Sequence, residues 1–383
     1  LEFRRVLFRS YYLNTVANEM FMDTALQRDS VVSQAKLLNY VPKSTIAPEA
    51  TINLVVNQVM DASLTLPKFT TFISEAIDGV NYNFVTVDDT TVVVSSNTAT
   101  YYGVTLKQGT HLSASFTVDT TTNPSYTFNI PDANVDTSTL IVTVQPSSSN
   151  TSTDTYALAT GYTELDGTSE VYFLQENIAG GYQIYFGDGI IGNQLTNGNY
   201  VTINYLSTNG TAAAGANSFV LMDTISGNAN TLVYPISAAS TGSSQESIDS
   251  IKFQAPKAYG TQGRAVSKND YITLIQQNSL GFAFDAVSVW GGEQNTPPVY
   301  GQVFVSIKPQ GSLTLTDTQK QALLTQVIKP ISVMTVEPTI IDPDYTYLQL
   351  TCNVYYSPSK TTLSMGQLQR SEEHTSELQS HSF

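Results

Sequence analysis

Apolar residues recur at two different periods along the chain, and the change of period divides it. Between residues 11 and 42 the spacing is helical: Leu13, Val16, Ala17 and Met20 share one stripe, and Val32, Ala35 and Leu38 share another. Asp29 or Ser30 is placed to cap the second helix, and Pro42 to end it. From about 50 to 235 the period falls to two, the mark of strands with one face buried. Runs at 51–56, 64–66 and 70–73 read as strands, and 81–87 and 91–94 are expected to pair across Asp88 and Asp89. Tyr182, Ile184 and Phe186 alternate before a glycine-rich stretch, and Val201, Ile203 and Tyr205 after it, which predicts a hairpin with a long loop. Residues 111–165 hold shorter strand-like pieces between Thr, Ser and Asn clusters and read as a possible inserted β module.

Small residues at 237–244 read as a linker, and beyond it the pattern turns α/β. A short helix is expected over 245–254, with Ile248, Ile251 and Phe253 inward and Pro256 as its stop. Ser267 and Asp270 have capping-box spacing, with Tyr271, Leu274 and Ile275 then facing a core. A strand ends at Trp290 and a second returns over 302–308. Thr316 caps a helix reaching Ile328, and a last strand at 348–354 places Cys352 on an apolar face. The expected class is α+β: N-terminal helices (11–42), a mainly antiparallel β region (43–236) with the inserted module, then an α/β domain of split β-α-β type (245–369).

Composition narrows the chemistry. Only 13% of the 383 residues are charged and the formal net charge is −15, which argues against a nucleic-acid groove, because neutralising phosphates takes clustered Lys and Arg. One cysteine excludes an internal disulfide, and no apolar run reaches the length of a membrane span. Residues 7–10 and 370–380 resemble translated sequencing-adapter arms, so 1–10 and 370–383 are expected to be adapter-derived and the natural chain truncated at both ends.

Candidate sites are few. His111 is the one histidine between 11 and 369 and has no HxxH or HExxH company. No Gly-x-Ser-x-Gly elbow occurs, and neither Asp342 with Asp344 nor Asp88 with Asp89 has the ligand spacing of an EF-hand. The glycine-rich stretch Phe186, Gly187, Asp188, Gly189 and Gly192 lacks the following helix or lysine that a phosphate cradle needs, so it reads as a structural turn with Asp188 bonding its own backbone. Arg264 and Asp270 read as a structural ion pair, with a ligand clamp as the alternative. No catalytic residue, metal, cofactor or small-molecule substrate is expected.

The Phe186-Gly187-Asp188-Gly189 motif with Gly192, the following Val-Thr-Ile-Asn-Tyr strand, and the later order Glu246-Ser247-Ile248, Ala255-Pro256, Arg264-Ala265-Val266 and Asp270-Tyr271 resemble the baseplate J family. The N-terminal order Arg28, Ser30-Val31-Val32, Gln34-Ala35, Asn39-Tyr40-Val41-Pro42 is similar to the helical segment of inner-ring wedge proteins of T-even-like phages. Where the family places a glycine after a basic residue, Phe69 follows Lys68 here. The resemblance implies a non-enzymatic virion protein of the tail baseplate, assembled in the host cytoplasm. It would join a ring around the hub and couple baseplate rearrangement to sheath contraction. The implied partners are further copies of the chain, in ring or dimer contacts, and other baseplate wedge proteins, with no membrane insertion. Val32, Ala35 and Leu38 are the interface candidates, on the expectation that their stripe is exposed. A β-rich adhesin binding glycans is the alternative, and a cell-wall hydrolase a third reading.

Overall fold

The computed structural model describes residues 13–346 apart from 125, 160–164 and 279. The chain divides into two compact units, Leu1–Pro343 and Asp344–Phe383, and every element below lies in the first. The expected strand with Cys352 and the adapter-like segments fall outside the described residues. The class is α+β, as the sequence implies.

A first helical stretch, α1 (13–19), leads through a turn to α2 (Arg28–Leu37). The cap expected from Asp29 or Ser30 is not made: Gln27 occupies the N-cap without a side-chain bond, and Asp29 lies in the first turn. Nor does Pro42 end the helix. The chain leaves at Leu38, and Asn39 takes a left-handed φ of 56° that closes the last turn.

Next come β1 (Glu49–Asn57), β2 (Ser63–Leu66), β3 (Thr71–Ser74), β4 (Asn83–Thr86), β5 (Thr90–Val93) and β6 (Thr98–Gln108). At Gly109 the chain passes from β6 into β7 (Thr110–Thr117); a Cβ there would lie 2.7 Å from the Ser207 carbonyl oxygen, so only glycine fits the crossing. There follow β8 (Thr127–Asn129), β9 (Val135–Gln145), β10 (Asp154–Leu158), β11 (Val171–Glu176), β12 (Tyr182–Phe186) and β13 (Tyr200–Ser207), then β14 (Phe219–Leu221) and β15 (Thr231–Ser240). The first sheet has the order β14-β3-β4-β6-β1-β15 and the second β7-β13-β9-β10-β11-β12-β8. Each has its own core. Ile52, Leu54, Val56, Phe72, Phe84 and Tyr101 fill the first, and Tyr182, Ile184, Phe186, Val142, Val201 and Ile203 the second.

Strand positions follow the period-two pattern, but several pairings differ from expectation. β12 and β13 are not a hairpin: β12 pairs with β11 and β8, and β13 with β7 and β9. Likewise β4 pairs with β3 and β6, while β5 pairs with β2, so 81–87 and 91–94 do not join across Asp88 and Asp89. Residues 111–165 are not a separate module, because β7 to β10 share one sheet with β11 to β13. The expected linker 237–244 is largely structured: β15 runs to Ser240, Thr241 is buried, and Ser243 bridges to Ile46. Phe69 stands at φ 64°, the left-handed conformation a glycine would take most easily, and its ring stacks on His111 with centroids 3.8 Å apart.

In the last part α3 (Ile248–Thr261) is capped by Ser247 and continues through Pro256 instead of stopping there. Pro256 itself is exposed to solvent. Phe253, expected inward, is exposed under the Lys257 ammonium. α4 (Lys268–Gln276) precedes the hairpin of β16 (Phe284–Gly291) and β17 (Gln302–Pro309). Then α5 (Asp317–Ala322), capped by Thr316, runs through a π-helical turn (Leu323–Ile328) into α6 (Lys329–Ile331). β18 (Glu337–Ile341) lies parallel to β17 and makes a β-α-β step with a strand the sequence reading did not mark; the strand expected at 348–354 lies outside the described residues.

One buried acid joins these parts. Glu49 on β1 is 6% exposed, accepts from Gln319 of α5, and is faced by Lys107 of β6 and Asp136 of β9. Burial pushes its carboxyl above the ordinary value, with Asp136 adding to the rise and Lys107 and Gln319 opposing it. A carboxyl whose folded pKa is raised contributes stability that is full below its unfolded pKa and is lost as pH rises through the folded one. Glu49→Gln is therefore expected to melt higher than the parent at pH 8, with the two curves converging as pH falls toward about 4. Thermal melts across that range check it, and a variant less stable at pH 8 would refute it.

Candidate assembly site

Two glycine positions shape the turn after β12. A Cβ on Gly187 would lie 2.3 Å from both the carbon and the oxygen of the Gly192 carbonyl, and Gly192 has a φ of +82°. Asp188 accepts the amides of Ile190 (2.9 Å) and Ile191 (3.0 Å), the self-bonding turn expected of it. Those bonds, from Ile191 first, hold its carboxyl below the usual value. A second loop fastens the turn from outside, since Gly192 N–H donates to the Asp166 carbonyl and Asn193 N–H to that of Ser169. Phe186 lies in the core of the second sheet, with Tyr156 edge-on to its ring.

At the opposite end of the same sheet, three parts of the chain meet around two acids. Glu176 ends β11 on the same strand face as Tyr172 and Leu174 and is 1% exposed. Arg28 of α2 grips it with both arms, Nε to Oε1 at 2.6 Å and Nη2 to Oε2 at 2.9 Å, and donates through Nη1 to the Glu246 carbonyl. Burial works against the charged guanidinium, but the hydrogen bonds and charge of Glu176 outweigh it and raise the Arg28 pKa. Glu246, at the start of the last part, accepts from the Tyr40 hydroxyl (2.8 Å), the Lys43 amide (3.0 Å) and the Ser250 hydroxyl (2.7 Å). Tyr182 donates to the Pro42 carbonyl at 3.1 Å, and Lys43 Nζ to that of Gln276. Burial lowers the Lys43 ammonium to about 8 against the pull of Glu246. A polar cavity of about 260 Å³ lined by Tyr40, Lys43, Glu246 and Gln254 opens beside this network. The arrangement fastens α2, the second sheet and α3 together, and its carboxylates are occupied by protein donors.

The interface candidates do not form an exposed stripe. Val32 and Ala35 are 2% and 0% exposed, packed with Val31 and Tyr40 against Ile251 and Ala255 of α3, and Leu38 lies partly buried on the same cluster. The chain covers that face itself. Among the described residues, the α1 stretch does expose apolar side chains: Leu13, Val16, Met20 and Phe21 are 69, 49, 70 and 67% exposed. Arg264 and Asp270 do not pair. Arg264 is exposed and outside every ion pair among the described residues, while the Asp270 carboxylate accepts the amides of Val266 and Ser267 in a complete capping box. Those backbone bonds, Ser267 first, lower its pKa. Tyr271 packs in the third core, where its hydroxyl finds no partner among the described residues. Trp290 donates to Asn295 at 2.9 Å and stacks on Phe304. Among the described residues, no group of three or more His, Cys, Asp or Glu side chains is placed to hold a metal.

The sequence pattern overlooks the Arg28–Glu176 pair. An acid at an inward position of a strand was the available signal, since period two puts residues 172, 174 and 176 on one face.

Residues 267–341 match the family model described as the C-terminal domain I of baseplate structural protein gp6. The chain is 28% identical over 382 residues to baseplate wedge protein gp6 of Enterobacteria phage T4, an alignment covering 92% of this chain and 55% of that protein. The chain thus spans about half the length of that relative. A cryo-EM structure of the anti-feeding prophage baseplate, 6-fold symmetrised, matches over 83% of this chain and 61% of its own at 12% identity and a TM-score of 0.27. The sequence matches relate this chain to baseplate wedge proteins.

Proposed function

We propose that this chain is a structural subunit of the baseplate wedge in a contractile phage tail, located in the virion. The observation that carries the reading is a 28% identical alignment to a baseplate wedge protein along 92% of the chain, with residues 267–341 also matched by a family model for a domain of gp6. The reading as a baseplate J protein rests on the Gly187, Asp188, Gly189 and Gly192 turn taken together with the order from Glu246 to Tyr271. The molecular physics agrees. A bidentate buried pair fastens α2 to the second sheet, and the exposed face of α1 offers apolar area to a neighbour. The role is non-enzymatic: the protein holds position in a ring around the hub, contacts other copies of itself and other wedge proteins, and moves as a body when baseplate rearrangement triggers the sheath. In such a ring switching occurs by repacking interfaces, since close-packed cores do not deform continuously.

The test is assembly. The chain is mixed with each tail structural protein encoded beside its gene and followed by mass photometry. A stoichiometric complex is expected, and monomers with every neighbour would overturn the reading. Replacing Leu13 and Val16 by Asp is expected to weaken that complex by roughly tenfold or more while leaving the melting temperature of the isolated chain unchanged, because both side chains already face water. Unaltered assembly of this variant would move the interface away from α1.

A further inference from the structure

Residues 108–251 contain no lysine or arginine, whereas 110–207 alone carry nine Asp and Glu. The fold sorts these acids by end. Glu176 and Asp136 sit at the end that meets the rest of the chain, where Arg28 and the Ala47 amide engage them. At the other end the loops 118–126, 146–153 and 187–199 come together, because β7, β9 and β12 end there and β8, β10 and β13 begin there. Cross-loop bonds from Thr120 to Asn197, Asn199 to Pro146 and Gln194 to Tyr126 hold the loops together. Loop residues Asp166 and Glu170 join them through the backbone bond between Asp166 and Gly192.

In the midst of these acids the turn holds two large apolar side chains in water: Ile190 is 75% exposed and Ile191 39%. Neither side chain holds the turn together. The Asp188 carboxylate, the contact of Gly187 with Gly192 and the Asp166 loop do that. These bonds and the close backbone approach fix the turn, so an incoming surface meets Ile190 and Ile191 already positioned, and less conformational entropy is lost on docking.

We infer that this loop end is a docking surface on which Ile190 and Ile191 enter an apolar depression of another protein whose rim is basic. Charge complementarity selects that occupant. The rim here includes Asp154, Glu170 and Asp188, all exposed, with no cation in the surrounding stretch to neutralise them. A second copy of the chain would bring the same acids and a net charge of −15, so self-docking at this end is repelled. The apolar pair supplies the burial, and the acids supply orientation and partner choice.

The inference rests on the assembly reading above, and one experiment separates the two. A photo-crosslinking phenylalanine analogue replaces Ile190 in the chain co-expressed with its neighbouring tail genes, and assembled baseplates are isolated before irradiation. The expected result is one crosslinked peptide from a different protein, bearing a net positive charge around apolar residues. Its yield should fall roughly tenfold or more when Asp154→Lys and Glu170→Lys are added or salt is raised. Circular dichroism melts of the variant control for folding. A crosslink to an acidic peptide or to another copy of the chain, or none at all from chains present in the baseplates, overturns the docking surface and leaves the assembly reading standing. Absence of the unmodified chain from baseplates overturns both.

Discussion

Arg28→Ala should lower stability by about 3–5 kcal/mol, because it leaves a carboxylate inside the protein without its counter-charge. Glu176 is 1% exposed and takes two of its hydrogen bonds from the guanidinium. An alanine restores neither the charge nor the donors, and it also strips a donor from the Glu246 carbonyl. Glu176→Leu should cost less than this, since the Arg28 side chain is 22% exposed and its charge keeps partial access to water. Combining Arg28→Met with Glu176→Leu should return much of the loss, because two apolar groups need no pairing. Denaturant unfolding of the parent, Arg28→Met, Glu176→Leu and the combined variant closes a double-mutant cycle. A single substitution costing under about 1 kcal/mol would show that the pair behaves as a surface bridge and would remove it as the fastening between α2 and the second sheet. Limited proteolysis should agree, with faster cleavage between α2 and β1 in Arg28→Ala.

This pair also marks where the sequence stops being readable. Several features whose partners lie within four residues are legible, among them the Ser267 and Thr316 caps, the Asp188 turn and the alternation of β12 and β13, although the cap expected on α2 is not made. Features whose partners lie far away are not. Arg28 and Glu176 are 148 residues apart, and each looks like an ordinary surface charge in its own segment. The hairpin expected of β12 and β13 failed for the same reason. Periodicity tells which residues of a strand face inward, but not which strand lies alongside, and the loop between them is held by residues 166–169 as well as by its own bonds. Pro256 and Pro42 read as helix stops by their chemistry alone. What decided was exposure in one case and the left-handed Asn39 in the other, and a tertiary fold sets both.

The turn after β12 yields the second large effect, and glycine chemistry separates it from its neighbours. Gly198 has a φ of +91° and nothing within 4 Å of a built Cβ, so Gly198→Ala faces backbone strain alone, about 1 kcal/mol. Gly187 is the opposite case. Its φ lies outside the left-handed range, but its Cβ would meet the Gly192 carbonyl at 2.3 Å and the Ile191 oxygen at 2.4 Å, and these are backbone atoms that no rotamer can move aside. Gly187→Ala must therefore push the two arms of the turn apart. That movement breaks the bond from Gly189 N–H to the Gly192 carbonyl and pulls at the Asp166 contact. The expected loss is about 3 kcal/mol, the upper end of overpacking costs, and Ile190 and Ile191 lose their fixed presentation with it. Unfolding midpoints of the two variants make the comparison. Equal losses would mean that conformational strain governs this turn, and the close approach of Gly187 to Gly192 would then not be what holds the apolar pair in place.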